Sequence, residues 1–145
     1  MAFRFPLASV LRVRESIEKR EELALQRVQF EIAQVRKRID LVTVEIENKH
    51  NERNSALQKP IHARQLHAIL SEIDAGVERK KTLLGTLATL EQDKEKRMKA
   101  YQTAHADRQM LSDMLTKQRT GYDKDQVRNQ QKFLDEIFSS RSSRN

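Results

Sequence analysis

The apolar positions of the first third of the chain keep a helical period. Val10, Val13, Ile17, Ala24, Val28, Ile32, Val35, Ile39, Val42 and Ile46 recur at spacings of three, four or their sum, which lines them along one side of an α-helix. From Val28 to Ile46 the steps alternate four and three without a break, the signature of a heptad seam. Glu21 lies on the same line and interrupts it. Many of these residues are β-branched, a composition that also suits strands, but helical spacing sustained over some fifty residues outweighs that preference.

Gln58-Lys59-Pro60-Ile61 is the one strong break, because proline disfavours helix at the residue before it and cannot sit in a helix interior. Leu66, Ile69, Leu70, Ile73 and Val77 resume the stripe almost at once, and Leu83, Leu84, Leu87 and Leu90 extend it. The stripe then thins. Between Lys94 and Arg108 only Met98, Ala100, Tyr101, Ala104 and Ala106 carry apolar atoms, before Leu111, Met114, Leu115, Tyr122, Val127, Phe133, Leu134, Ile137 and Phe138 restore it. The spacing predicts an all-α fold with helix 1 over about 6–57, a loop over about 58–62, helix 2 over about 63–138 and a polar, frayed tail over 139–145. Two long helices joined by so short a connection run antiparallel, giving a single-domain coiled-coil hairpin with the form of a rod. Both termini fall at one end of it. The expectation is then that Phe3 and Phe5 gather with Phe133 and Phe138 into an aromatic tip, which either packs on itself or offers anchors to another protein.

Composition agrees with a thin core. The chain has 145 residues, 34% of them charged and 37% hydrophobic, with 5% aromatic and no Cys or Trp, too little apolar matter to fill a compact domain of that length. A sandwich, barrel or α/β enzyme is therefore excluded in favour of an elongated helical fold. The absence of cysteine removes a disulfide framework, a Cys-based zinc site and a catalytic thiol. The N-terminus begins like a short signal peptide, yet Arg12 and Arg14 cut its apolar run and no small-residue cleavage site follows, so a cytoplasmic protein is expected.

The net charge of +7 is spread evenly, with 13 Lys and Arg against 10 Asp and Glu in residues 1–72 and 15 against 11 in residues 73–145. Clusters such as Arg36-Lys37-Arg38, Arg79-Lys80-Lys81 and Lys94 to Lys99 are interleaved with acids and lack aromatic stacking platforms, so a solvated helix face is the better reading than a nucleic-acid surface. No nucleic-acid partner is expected. No catalytic, cofactor-binding or metal-binding residue stands out either. His62 and His67 are five apart and miss the shared face of a helical zinc site, His50 and His105 sit among charges as surface residues, and no Gly-rich phosphate loop exists. No enzyme activity is expected of this chain.

Three segments carry a resemblance. Phe3-Arg4-Phe5-Pro6-Leu7 with Val10-Leu11-Arg12-Val13-Arg14-Glu15, then Arg97-Met98-Lys99-Ala100-Tyr101 with Asp107-Arg108-Gln109, and finally Gln130-Gln131-Lys132-Phe133-Leu134-Asp135-Glu136-Ile137 are together similar to the bacterial flagellar export protein FliJ family, over essentially the whole length. Gln131 departs from the family pattern, in which Glu commonly precedes the Lys.

The resemblance implies an antiparallel coiled coil similar to the stalk subunit of rotary ATPases, cytoplasmic and peripheral to the inner membrane at the flagellar base through its partners. It implies that the end bearing both termini enters the hexameric flagellar export ATPase and promotes its assembly and activity. It implies further that the rest contacts the cytoplasmic domain of the membrane export gate and escorts export chaperones. Matched by motif, Phe3, Phe5, Leu7, Leu11, Arg14, Lys132, Leu134, Asp135 and Ile137 are the expected ATPase-end residues. For the gate side, Leu66, Leu70, Ile73 and Val77 form a 4-3-4 ridge, with Ile39, Val42 and Ile46 as companions, or else these residues are spent in the hairpin seam. The alternatives are a stalk protein of a non-flagellar injectisome or rotary ATPase, and a basic helical nucleic-acid-binding protein.

Overall fold

A computed structural model describes residues 2–144 and contains two α-helices, α1 from Ala8–Ala56 and α2 from Ala63–Ser142. They form an all-α hairpin, and no strand occurs among the described residues. Pro6 precedes the first turn of α1, where its missing N–H costs nothing. The Ala8 N–H donates to the Phe5 carbonyl at 3.1 Å and the Leu11 N–H to the Leu7 carbonyl at 2.9 Å, closing the entry to the helix. At the other end α1 tightens, with the Gln58 and Lys59 amides donating three residues back to Ser55 and Ala56. Pro60 keeps the chain out of helix, and α2 starts when the His62 carbonyl accepts from both Gln65 and Leu66. α2 runs on through Ser142, into the stretch whose composition suggested a frayed tail.

The chain divides into two compact units, one from Glu22–Ala100 and the other from the segments up to Glu21 and from Tyr101 onward. The division at Ala100 and Tyr101 falls inside the apolar-poor stretch from Lys94 to Arg108.

In the unit from Glu22–Ala100 the predicted seam from Val28 onward is the core, with Leu25 buried where the stripe had Ala24, itself half-buried. Leu25, Val28, Ile32, Val35 and Val42 of α1 and Ile69 and Ile73 of α2 are buried, while Ile39 and Ile46 are half-buried. Burying each such side chain contributes about 1.5–3 kcal/mol. No side chain described in the chain is fully buried, as expected where two helices supply one layer of packing. Antiparallel pairing is fixed along this unit by Arg36 with Glu91 at 3.0 Å, Glu45 with Arg79 at 3.9 Å and Lys49 with Glu72 at 2.5 Å. Each step forward on α1 is answered by a step back on α2. Gly76 of α2 is buried, with the Ile46 side chain of α1 laid over it.

In the other unit Phe5, Leu11 and Leu111 form the buried cluster, with Phe3, Leu7, Ala8 and Leu115 packed around it. Ala104 is buried as well.

Candidate partner-binding surfaces

The N-terminal segment folds back on α2 through its aromatic rings. Phe3 meets Tyr122 with ring centroids 5.5 Å apart, tilted by 48°. Phe5, one pleat further on, turns into the cluster with Leu11 and Leu111. Arg14 reaches Asp107 at 3.4 Å, both side chains about 40% exposed, so this pair orients more than it stabilises.

One turn along, Glu18 accepts from Arg108 Nε at 2.5 Å, and Arg108 also reaches Ser112. His105 Nδ1 stands 3.4 Å from Glu18 and from Arg108 Nη2. The Arg108 hydrogen bond holds the Glu18 carboxyl below its ordinary range, against the opposing effect of burial, and His105 adds to it; Glu18 in turn raises the Arg108 guanidinium. Nothing in the sequence reading singled out this cluster. His105 is exposed, as a surface group is expected to be, but Glu18 lies 87 residues away from it along the chain, where no periodic pattern can find it. The Glu18–Arg108 pair joins the two helices across this unit and holds their register.

The expected gathering of four phenylalanines does not occur. Phe133 and Phe138 are 63% and 66% exposed, far from the Phe3 to Tyr122 contact. The reason is length. α2 has 80 residues against 49 in α1, and the register that sets Phe3 against Tyr122 leaves Phe133 about 16 Å of helix further along α2. From 123 to 142 α2 is exposed throughout except for half-buried Ile137. Leu134 stands 51% exposed among these residues, with Lys132 and Asp135 beside it. Val127, Leu134 and Phe138, at spacings of seven and four, give this segment an apolar side.

Of the predicted ATPase-end set, then, Phe5 and Leu11 are core, Phe3, Leu7 and Arg14 are half-buried around it, and Lys132, Leu134, Asp135 and Ile137 lie on the projecting α2 segment. Phe133 and Phe138, expected in a tip that either packs on itself or offers anchors to another protein, are the larger exposed apolar side chains of this segment.

On the unit from Glu22–Ala100 the predicted gate-side residues separate. Val42 and Ile73 are buried in the seam and Ile39, Ile46 and Leu66 are half-buried, whereas Leu70 and Val77 point outward at 39% and 48% exposure. Leu84, at 47%, continues them at heptad spacing. The 4-3-4 ridge is thus a buried residue flanked by exposed ones, and the outward line is Leu70, Val77 and Leu84. Beside it a shallow groove is lined by Glu45, Lys49, Glu72 and Arg79 over Ile46, Ala75 and Gly76. Glu72, with help from Glu52, raises the Lys49 ammonium, so the groove walls are already charge-paired.

No cluster of His, Asp or Glu among the described residues could hold a metal, and no helix there is long and apolar enough to cross a membrane. Compared with known proteins, the family model described as flagellar FliJ protein matches residues 3–145. No curated protein and no solved structure matches the chain.

Proposed function

We propose that this chain, which belongs to the flagellar FliJ family and is thus a component of the flagellar protein export apparatus, is the non-enzymatic coupling factor of that apparatus. Its end bearing both termini inserts into the hexameric flagellar export ATPase and promotes assembly and ATP hydrolysis. The unit from Glu22–Ala100 contacts the cytoplasmic domain of the export gate and export chaperones.

The observation that carries this reading is the projecting part of α2. A helix that leaves Phe133, Leu134 and Phe138 exposed beyond Tyr122 keeps several kcal/mol of apolar burial in reserve for a partner. Insertion into a ring supplies that burial on all sides at once, which suits a segment with Phe133 and Ile137 on one side and Val127, Leu134 and Phe138 on another. Leu70 and Val77, with Leu84, are the residues left to face the gate. The test is co-purification with the cognate export ATPase, with ATP hydrolysis measured with and without this chain. Failure to co-purify, with both proteins folded, contradicts the proposal.

A further inference from the structure

The hairpin end differs in charge from the helices it joins. The unit from Glu22–Ala100 carries 15 Lys and Arg against 12 Asp and Glu; residues 48–71 hold 4 of those bases and 1 of those acids, so the rest of the unit balances at 11 against 11. Its whole basic excess therefore belongs to the hairpin end. Three of the four His, namely His50, His62 and His67, lie in the same stretch. The even split of charge between the two halves of the chain conceals this concentration.

The fold brings these residues to one place. Lys49 of α1 pairs with Glu72 of α2 across the hairpin, and residues 50–71 lie beyond that level, on the end of α1, the connection and the start of α2. Glu52, the single acid, is also taken by Lys49. Arg53 turns to Asn54, and Arg53, Lys59 and Arg64 have no acid partner among the described residues. Lys59, Arg64, His62 and His67 are exposed and Arg53 is half-buried. The Leu57 N–H donates to the Arg53 carbonyl at 3.0 Å, which sets Leu57 one turn beyond Arg53 on the same side, and Leu57 is 55% exposed. An apolar side chain thus stands at the extremity among bases drawn from both helices and the connection.

That combination selects a class of partner. Protein interfaces are anchored chiefly by aromatic side chains, and all seven Phe and Tyr lie outside residues 48–71. A nucleic-acid backbone would satisfy the bases but has no apolar layer for Leu57. An anionic lipid surface supplies both, with headgroups that attract bases without a fixed geometry and an acyl boundary just behind them. We propose that the hairpin end docks on an anionic phospholipid surface, with Arg53, Lys59 and Arg64 against the headgroups and Leu57 at the acyl boundary. So few bases with one leucine give a reversible, salt-sensitive attachment, and it needs lipid alone, independently of any contact with the export gate.

The test is co-flotation of the full chain with vesicles of equal parts phosphatidylglycerol and phosphatidylcholine, beside vesicles of phosphatidylcholine only. The chain floats with the anionic vesicles, less so as salt is raised, and not with the neutral ones. Lys59→Gln and Arg64→Gln each weaken binding about fivefold and together about twenty-five-fold, with helicity by circular dichroism unchanged, and Leu57→Ser weakens it as well. Lys117→Gln with Arg119→Gln, which removes as much exposed charge from the other unit, leaves binding as it was. No binding to the anionic vesicles overturns the proposal and leaves the hairpin end to an acidic protein. Equal losses from the two double variants overturn it too, since the attraction is then not directed by this end. So does duplex DNA that binds the chain more tightly than the vesicles do and loses that binding with Lys59→Gln and Arg64→Gln, which assigns the hairpin end to nucleic acid.

Discussion

Ile46 lies over Gly76 so closely that a Cβ added to the glycine would come within 2.9 Å of Ile46 Cγ1. Glycine in a helix interior costs up to about 1 kcal/mol relative to alanine, and here that cost is offset by close approach of the two helices. Gly85 and Gly121 have open space where a Cβ would stand. Gly85→Ala and Gly121→Ala each stabilise the chain by up to about 1 kcal/mol, whereas Gly76→Ala falls below Gly85→Ala by about 1–3 kcal/mol because Ile46 must be displaced. Urea unfolding followed by circular dichroism measures the three; equal gains at all three positions would refute the close contact.

The Glu18 cluster sets a pH dependence. Because Arg108 lowers the folded-state value of this carboxyl, its contribution to stability is fully present above the unfolded glutamate value of about 4.3 and is lost as pH falls through the lower, folded value. Glu18→Gln is therefore less stable than the unaltered chain at neutral pH, and the difference shrinks to nothing in acid. Thermal unfolding of both chains across that range tests it. A difference that grows as pH falls would show that the pair does not act in this way.

Core and exposed phenylalanines respond differently. Phe5→Ala removes a member of the cluster with Leu11 and Leu111 and lowers stability by about 3 kcal/mol. Phe133→Glu and Phe138→Glu change stability by less than about 0.5 kcal/mol, since both side chains already face solvent, yet they abolish stimulation of the export ATPase. Unfolding curves and hydrolysis rates on the same preparations separate the two effects.

The same logic applies on the other unit. Leu70→Asp and Val77→Asp leave the fold intact and weaken binding to the cytoplasmic domain of the export gate, while Ile73→Asp, between them but buried, disrupts the hairpin itself by setting a charge in the seam. Circular dichroism and a pull-down with the gate domain check both. Gate binding unaffected by Leu70→Asp and Val77→Asp would remove these residues from that surface.

The seam from Val28 to Ile46 was legible in the sequence because helical burial imposes its period on neighbouring residues, and Pro60 marks the turn because its chemistry forbids helix. What escaped was relational. Period says that Phe133 and Phe138 belong to a helix, but only the register that pairs Phe3 with Tyr122 shows that α2 outlasts its partner. Likewise the 4-3-4 spacing placed Leu66, Leu70, Ile73 and Val77 near one another without telling which of them face α1. Glu18, His105 and Arg108 stayed hidden for the same reason: each is an ordinary surface residue until the antiparallel pairing brings them together.

The most direct measurement is ATP hydrolysis by the cognate hexameric export ATPase, titrated with this chain. Insertion of the projecting α2 segment into one central hole predicts a rate that rises and saturates near one chain per hexamer, with Phe133→Glu failing to raise it. A rate that does not change on addition of the folded, unaltered chain would contradict the account.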